Sequence, residues 1–361
     1  MRLDKPLPPG STIGILGGGQ LGRMLTLAAA RLGIRCHIYA PEADSPAFQV
    51  AAAHTIAPYD DYEALAGFAR SVELVTYEFE NVPAETAAFL AARVPLAPDA
   101  RALATAQDRV AEKTFLSGLG IAVAPFAAVD TVAELDAALS TIGRPAILKT
   151  RRFGYDGKGQ TRIDRQKAAA TALAEIDLAP AILEGLVSFD HEVSVIAARG
   201  WDGVVACYDV PLNRHENHIL ATSTVPSGLD PALESKAREI AAAILRALDY
   251  VGVMGIELFA GRFGLMVNEL APRVHNSGHW TLDACLVSQF EQHIRAVCGW
   301  PLGNPARHSD VVMTNLLGDG VQDWQRLAQE ADVGLHLYGK SEARRGRKMG
   351  HFNRLSPRSG D

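Results

Sequence analysis

Two groups of residues in this chain have the types and spacing to handle a phosphorylated compound. The first is Lys149, at the end of the apolar run Ala146-Ile147-Leu148, followed by Arg152-Phe153-Gly154-Tyr155-Asp156-Gly157-Lys158-Gly159-Gln160. A segment this rich in glycine reads as a loop whose backbone N–H groups can approach anionic oxygens, and Lys149 and Lys158 add charge where a triphosphate needs it. The second group is acidic. Glu257 lies in Gly255-Ile256-Glu257-Leu258-Phe259 and Glu269 in Leu265-Met266-Val267-Asn268-Glu269, two strand-like runs with a turn at Gly261, which predicts a hairpin with its carboxylates side by side. Two carboxylates and an amide oxygen suit magnesium, a hard cation that bridges protein acids to substrate phosphates. Together the two groups point to an enzyme that uses ATP.

Three further stretches carry polar chemistry. Gly17-Gly18-Gly19-Gln20-Leu21-Gly22 meets the GxGxxG spacing between a strand and a helix, with Glu42 and Asp44 beyond it, and alone would suggest NAD. The physical content of the turn is narrower: a helix N-terminus that favours an anion, so any phosphorylated ligand fits, as does a tight turn with no ligand. Ala181-Ile182-Leu183-Glu184-Gly185-Leu186-Val187 is an apolar strand ending in an acid, with Glu192 shortly after. A backbone edge and two glutamates can read an adenine rim and ribose hydroxyls, but acids on a surface would look the same. The loop Arg273-Val274-His275-Asn276-Ser277-Gly278-His279 packs an arginine, two histidines, an asparagine and a serine directly after Glu269, a density that reads as function.

Composition sets the outer limits. At 361 residues and 48% hydrophobic content, the chain can build two or three subdomains with buried cores. A net charge of −6 gives no general basis for binding nucleic acid or an anionic membrane. The local basic run from Lys340 to Arg358 reads, on composition alone, as solvated surface. Cys36, Cys207, Cys285 and Cys298 are too scattered for a metal knuckle or a redox pair. No apolar run approaches the ~18 residues of a membrane span, and the four apolar residues from Ile13 to Leu16 are too few for a signal peptide core. A cytoplasmic protein is expected.

The elements that must position these residues follow from periodicity. Strands at 12–16, 36–39 and 74–76 alternate with helices at 21–32, 62–69 and 84–92, a rhythm that predicts a parallel sheet with helices on both faces. A helix-rich connector covers 99–119, and a smaller unit at about 122–187 holds the glycine loop. Beyond residue 190 the pattern predicts a mostly antiparallel region with strands at 192–198 and 203–208, a long helix at 231–248 and the acidic hairpin. A small α/β cap is expected from about Pro305.

The series Gly17 to Gly22, Glu78-Phe79-Glu80-Asn81, Lys149, Gly154 to Gln160, Glu184 to Val187, Asn268-Glu269 and Arg273 to His279, closing with Tyr338-Gly339-Lys340 and Arg347-Lys348-Met349-Gly350-His351, resembles the carboxyaminoimidazole ribonucleotide synthetases of purine biosynthesis, an ATP-grasp family. The resemblance covers almost the whole chain in order. It implies an α/β ATP-grasp fold: a Rossmann-like parallel-sheet domain at 1–108, the ATP-grasp unit at 109–304 with subdomains at about 120–188 and 189–304, and a C-terminal domain at 305–361. The activity implied is carboxylation of the exocyclic amine of aminoimidazole ribonucleotide by bicarbonate, with ATP and Mg2+ and through carboxyphosphate, in a cytoplasmic homodimer.

By that resemblance Arg109 and Lys149 would contact ATP phosphates, and Gly154, Tyr155, Asp156, Gly157, Lys158, Gly159 and Gln160 would cover them. Glu184, Gly185, Leu186 and Val187 would hold adenine, Glu192 the ribose, and His215 would lie near the nucleotide. Glu257 and Glu269 would bind magnesium beside Asn268. The ribonucleotide would sit against Tyr155, Asp156, Arg273, His275 and Asn276, and its phosphate would meet Gly19, Gln20 and Leu21 together with Lys340 and Arg347. Asp156 is the candidate for orienting the amine or taking its proton, and Arg273, His275, Asn276 and Lys340 complete the catalytic set. The alternatives are another ATP-grasp ligase, an NAD-dependent oxidoreductase, which leaves the second loop and the acidic hairpin without a purpose, and a nucleotide sensor without turnover.

Overall fold

The computed structural model describes residues 1–154 and 157–359. The expectations for Tyr155 and Asp156 therefore lie outside the described residues.

Four parallel strands open the chain: β1 (Thr12–Leu16), β2 (Arg35–Ala40), β3 (Ala53–Ile56) and β4 (Leu74–Tyr77), in the order β3-β2-β1-β4. The apolar run of β1 is central because it is buried on both faces, as parallel strands under crossover helices must be. Helices α1 (Gln20–Arg31) and α2 (Tyr62–Arg70) supply the helical crossovers, and α3 (Ala84–Ala91) follows β4. Strand β3 escaped the sequence reading because Ala-His-Thr-Ile lies at the sheet edge, largely exposed, and shows no apolar run. Leu21 and Leu25 of α1 share one core with Phe290 and Ile294, so the first sheet is fastened to the rest of the protein through α1.

Two short helices follow, α4 (Ala100–Gln107) and α5 (Arg109–Gly118). Asp99 accepts from the Ala102 N–H at 2.8 Å, and Asp108 from the Val110 N–H at 2.9 Å, which explains why the chain breaks and restarts between them. The smaller unit comprises β5 (Phe126–Val129), α6 (Val132–Ile142), β6 (Ala146–Thr150), β7 (Gln160–Ile163), α7 (Ala169–Ala174) and β8 (Ala181–Gly185), an antiparallel sheet in the order β5-β8-β6-β7. Lys149 pairs with Gln160 at the mouth of the β6/β7 hairpin, so the glycine-rich segment is the hairpin's connection.

The larger sheet has nine strands among the described residues. It contains β9 (His191–Arg199), β10 (Val205–Cys207), β11 (Leu212–Glu216), β12 (Ile219–Val225), β13 (Gly252–Gly261), β14 (Gly264–Ala271), β15 (Ser309–Leu317), β16 (Val333–Leu337) and β17 (Lys348–Pro357). Along β9, Val195 and Ala197 join the core under α8 (Pro231–Ala247), whereas Ile196 and Ala198 join the core that holds the helix Gln289–Val297. This period-two division buries the strand on both faces. The hairpin β11/β12 was not legible in the sequence because its residues are mixed polar and apolar. The segment from Pro305, expected as a cap, instead extends the same sheet: β12 pairs with β15, and β15 with β17. Strand order is decided by partners far away in sequence, which local periodicity cannot report.

Candidate active site

Glu257 and Glu269 are register partners across β13 and β14, and the register shifts immediately afterwards, with Leu258 opposite Val267. Asn268 is thus the extra residue of a β-bulge, a device that re-aims a side chain at the rim of a sheet. The bulge is held from α5. Lys113, fully buried, donates to the carbonyls of Val267 at 3.4 Å and of Asn268, and Glu112 accepts the Leu270 N–H at 2.6 Å. Neither residue was singled out in the sequence. The signal was present, since Glu112 and Lys113 lie on the same buried face of α5 as Leu116, where an apolar stripe is expected.

The paired acids differ in charge state. Burial and the neighbouring Glu269 push the Glu257 carboxyl up to about 7. Burial also raises Glu269, but Arg109 and Lys149 outweigh it and hold the group below its ordinary range. One acid that resists ionising beside another that is ionised, with the Asn268 side chain hydrogen-bonded to Glu257, is a donor set that a divalent cation relieves. Among the described residues no three His, Cys, Asp or Glu side chains converge as a closed metal centre. The donors fit a cation that completes its shell with phosphate oxygens and water.

Cations stand on the other side of these acids. Arg109 lies 3.1 Å from Glu269 and reaches the Gly154 carbonyl at 3.4 Å, which ties the first turn of α5 to the glycine loop. Lys149 pairs with Glu184 at 2.8 Å; the other carboxylate oxygen of Glu184 is buried with no partner among the described residues. Gly157 (φ +80°) and Gly159 (φ +68°) adopt the left-handed backbone, and a Cβ on Gly157 would meet the His218 ring at 2.8 Å. The loop therefore lies against the tip of the β11/β12 hairpin. From that hairpin His215 bonds Glu192 at 2.7 Å; burial lowers the imidazole's proton affinity, but Glu192, Glu257 and Glu269 raise it further.

The third side is the loop after β14. Arg273 is bound in bidentate fashion by Glu80, with its Nη2 at 3.0 Å from the carboxylate. Burial opposes ionisation of Glu80, yet Arg273 holds its carboxyl down at about 2. His275 lies 3.2 Å from Glu257. Asn276 exchanges two hydrogen bonds, of 3.0 and 2.7 Å, with Asn315 of β15, which fixes the orientation of its amide. Glu80 belongs to a motif already quoted, but its pairing with Arg273, like the positioning part of Asn315, is visible only in the assembled sheets.

The first glycine turn holds a correction. The N–H groups of Gly19 and Gly22 both donate to the Glu78 carboxylate, the latter at 2.5 Å, so the start of α1 already has an anionic partner. Burial raises the Glu78 carboxyl against those bonds. Gly19 is thus not free to receive a phosphate while Glu78 stands there; Gln20 and Leu21 line the cleft.

That cleft, about 660 Å³, brings together most of the residues singled out above. Arg109, Lys149, Gly154, Gly157, Lys158 and Gln160 border it with Glu192 and His215. Glu257, Asn268 and Glu269 lie beside Arg273, His275 and Asn276 on its wall. Gly19, Gly159, Glu184, Gly185, Leu186, Val187, Lys340 and Arg347 are not among its lining residues. The Gly185 N–H is taken by the Pro125 carbonyl at 2.8 Å and the Leu186 N–H by the Pro145 carbonyl at 3.3 Å. Lys340 donates to the Lys348 carbonyl at 2.7 Å, and Arg347 to that of Glu342 at 2.7 Å.

A glycine hairpin facing paired acids, between an antiparallel unit and a larger sheet, defines an ATP-grasp ligase, and residues 114–290 match the ATP-grasp domain family. Residues 11–107 match the ribonucleotide synthetase preATP-grasp domain, and residues 311–360 the phosphoribosylaminoimidazole carboxylase C-terminal domain. The chain is 54% identical over 361 residues to the N5-carboxyaminoimidazole ribonucleotide synthase of Brucella melitensis biotype 1, covering 99% of this chain and 100% of that one. An N5-carboxyaminoimidazole ribonucleotide synthetase solved as an ADP complex superposes with a TM-score of 0.95 at 40% identity, over 98% of this chain and 94% of that one. The Aspergillus clavatus enzyme, solved with ADP and 5-aminoimidazole ribonucleotide, gives 0.90 at 31% identity, over 97% and 94%. The chain belongs to the N5-carboxyaminoimidazole ribonucleotide synthase family. No helix among the described residues is long and apolar enough to cross a membrane.

Proposed function

We propose that this ligase carboxylates the exocyclic amine of 5-aminoimidazole ribonucleotide, using ATP and bicarbonate, in de novo purine synthesis. The observation that carries the reading is the sharing of one cleft by two sets of groups. Arg109, Lys149 and the glycine loop face Glu257 and Glu269, while Arg273, His275 and Asn276 continue from the same strand. A bicarbonate oxygen attacks the γ-phosphorus and ADP leaves; the amine nitrogen then bonds to the carbonyl carbon of carboxyphosphate, or to carbon dioxide released from it, while phosphate departs and the amine gives up a proton.

Arg109 and Lys149 bind the polyphosphate, and the loop at 154–160 excludes water, to which both activated intermediates would be lost. Glu257 and Glu269, with Asn268 beside them, hold Mg2+, which when bound neutralises charge on the transferring phosphoryl group. Glu184 to Val187 flank adenine, Glu192 meets the ribose, and His215 orients Glu192. Arg273, His275 and Asn276 hold the ribonucleotide with Tyr155 and Asp156, the latter orienting the amine or taking its proton. The substrate phosphate lies against Gln20, Leu21, Lys340 and Arg347. By family resemblance alone, a cytoplasmic homodimer goes with this reading.

The test is ADP release with magnesium and bicarbonate, with and without the ribonucleotide, using Glu269→Gln as the blank. Strong dependence on the ribonucleotide with an acid-labile carbamate as product is expected. ATP turnover indifferent to the ribonucleotide would overturn the substrate and leave a different acceptor for the same ligase.

A further inference from the structure

One polar chain inside the larger sheet is not used by any step above. Ser223 of β12, Asn213 of β11, Ser194 of β9 and Ser277 are all buried, the three serines completely. Asn213 and Ser223 are register partners, and β9, β11 and β12 are consecutive in the sheet, so the chain crosses three adjacent strands before it reaches the loop that carries His275. Placing four polar side chains in a core is unfavourable unless every one is satisfied, and here each finds the next.

The direction of the bonds can be worked out link by link. The Ser223 hydroxyl donates to Asn213 Oδ1 at 2.7 Å, and Asn213 Nδ2 donates to Ser194 Oγ at 3.0 Å. At the other end the Ser277 backbone N–H donates to His275 Nδ1 from 3.4 Å, which makes that nitrogen an acceptor. The Ser277 hydroxyl, 2.9 Å from the same nitrogen, therefore donates to it as well. With its one hydrogen used there, Ser277 Oγ accepts from Ser194 Oγ, 2.6 Å away. An imidazole nitrogen that receives donors carries no hydrogen, so the proton of neutral His275 sits on Nε2. On the far side Nε2 lies 3.2 Å from the Glu257 carboxyl, within reach of a donated bond when that acid is ionised.

The rest of the surroundings fix the ring in place. Gln289, fully buried, accepts the His275 N–H at 2.9 Å and donates to the His275 carbonyl at 2.7 Å. Gly255 of β13 leaves room for the side chain, since a Cβ there would stand 2.5 Å from the His275 Cβ.

We infer that Ser223, Asn213, Ser194 and Ser277 form a one-way hydrogen-bond relay that positions His275 as a fixed Nε2–H donor in the cleft. Resting on the function proposed above, this gives His275 a defined part: it offers a hydrogen bond to Glu257 and to oxygen atoms of the bound reactants, and its Nε2 cannot take the proton that the amine loses. The serines and Asn213 are positioning residues, acting through His275.

The test is long-range 1H–15N correlation spectroscopy of the full chain, with the His275 resonances assigned by their loss in His275→Gln. The expected pattern has the hydrogen on Nε2 and none on Nδ1; a hydrogen on Nδ1 overturns the relay. Asn213→Asp probes its direction with almost no change in volume. The introduced carboxylate cannot donate, so Ser194 turns its hydrogen away from Ser277, and His275 should shift toward the Nδ1–H form. For that variant kcat should fall about 10-fold, as for other outer-shell supports of an active-site histidine, with the KM for ATP held within about twofold. Ser277→Ala should lower kcat similarly, and combining it with Ser194→Ala should add little, because both cut one chain. An unchanged tautomer and kcat in Asn213→Asp, or full additivity of the serine pair, would count against the inference. The resonance needs no turnover, so absence of ribonucleotide-dependent ADP release in the wild type would defeat the proposed function alone.

Discussion

Glu257 and Glu269 face each other as register partners on adjacent strands, yet only Glu269 is held below the ordinary carboxylate range, because Arg109 stands 3.1 Å from it while Glu257 has a neutral imidazole. Glu257, pushed up to about 7 from 4.5, binds its proton more tightly in the folded chain than in the unfolded one. Its contribution to stability is therefore complete below about pH 4.5 and is lost as pH rises through about 7. Without metal, Glu257→Gln should be more stable than the wild type at pH 8, by a Tm gain of roughly 2–8 °C, and indistinguishable at pH 4.5. Thermal melts in chelator at both pH values check this; equal Tm values at pH 8 would refute it. The same variant should lose ribonucleotide-dependent ADP release.

The bulge at Asn268 depends on Lys113, whose ammonium meets two strand carbonyls in the interior. Lys113→Met keeps the length and apolar stem but leaves those carbonyls unmet and removes one of the positive charges near Glu112 and Glu184. A loss of stability on the order of 1–3 kcal/mol is expected from the unmet acceptors. The bulge should also relax, so kcat should fall more than the melting temperature alone would explain. Urea titration beside steady-state kinetics would separate the two, and a variant that is stable and fully active would show that the bulge is held by the strands themselves.

The contrast between Lys113 and Glu257 shows what could be seen in the sequence. Glu257 and Glu269 could be paired because a short turn makes the hairpin local, and Lys149 with its glycine loop was visible for the same reason. The Arg273 to Asn276 loop stood out by its polar density. The partners of those residues could not be found that way: Glu80 lies 193 residues from Arg273, and Asn315 lies 39 residues beyond Asn276 in a strand expected to belong to a separate cap. The bulge at Asn268 exists only once β13 and β14 are aligned. The glycine turn before α1 was legible as an anion site, but the anion in place is Glu78, which approaches from β4's end in a pairing that only the parallel sheet creates.

The Glu80–Arg273 pair should appear in the acid limb of stability. Glu80 is depressed to about 2 from 4.5, so its contribution is present above about pH 4.5 and is lost as pH falls toward 2. Glu80→Gln should flatten that part of the wild-type stability curve. Glu80→Ala, which leaves a buried guanidinium without its partner, should cost about 3–5 kcal/mol at pH 7. Chemical denaturation from pH 3 to 7 provides the measurement; parallel curves for wild type and Glu80→Gln would mean that the pair contributes nothing in this window.

Lys340 and Arg347 offer the sharpest test of where the ribonucleotide phosphate lies, because neither lines the central cleft. Burial pulls the Lys340 ammonium down to about 8, and Arg347 beside it pulls the same way. A phosphate between them would gain most while Lys340 is charged, which is below about pH 8. In the wild type, kcat/KM for the ribonucleotide should fall above that pH while KM for ATP changes little. Lys340→Arg, charged throughout, should remove the alkaline fall. Lys340→Ala and Arg347→Ala should each raise the KM for the ribonucleotide on the order of 10-fold or more, with a smaller change in kcat, since a lost phosphate contact weakens ground-state binding first. If the two alanine variants instead raise the KM for ATP, the second phosphate belongs elsewhere in the cleft, and the bond from the Lys340 ammonium to the Lys348 carbonyl is a structural one.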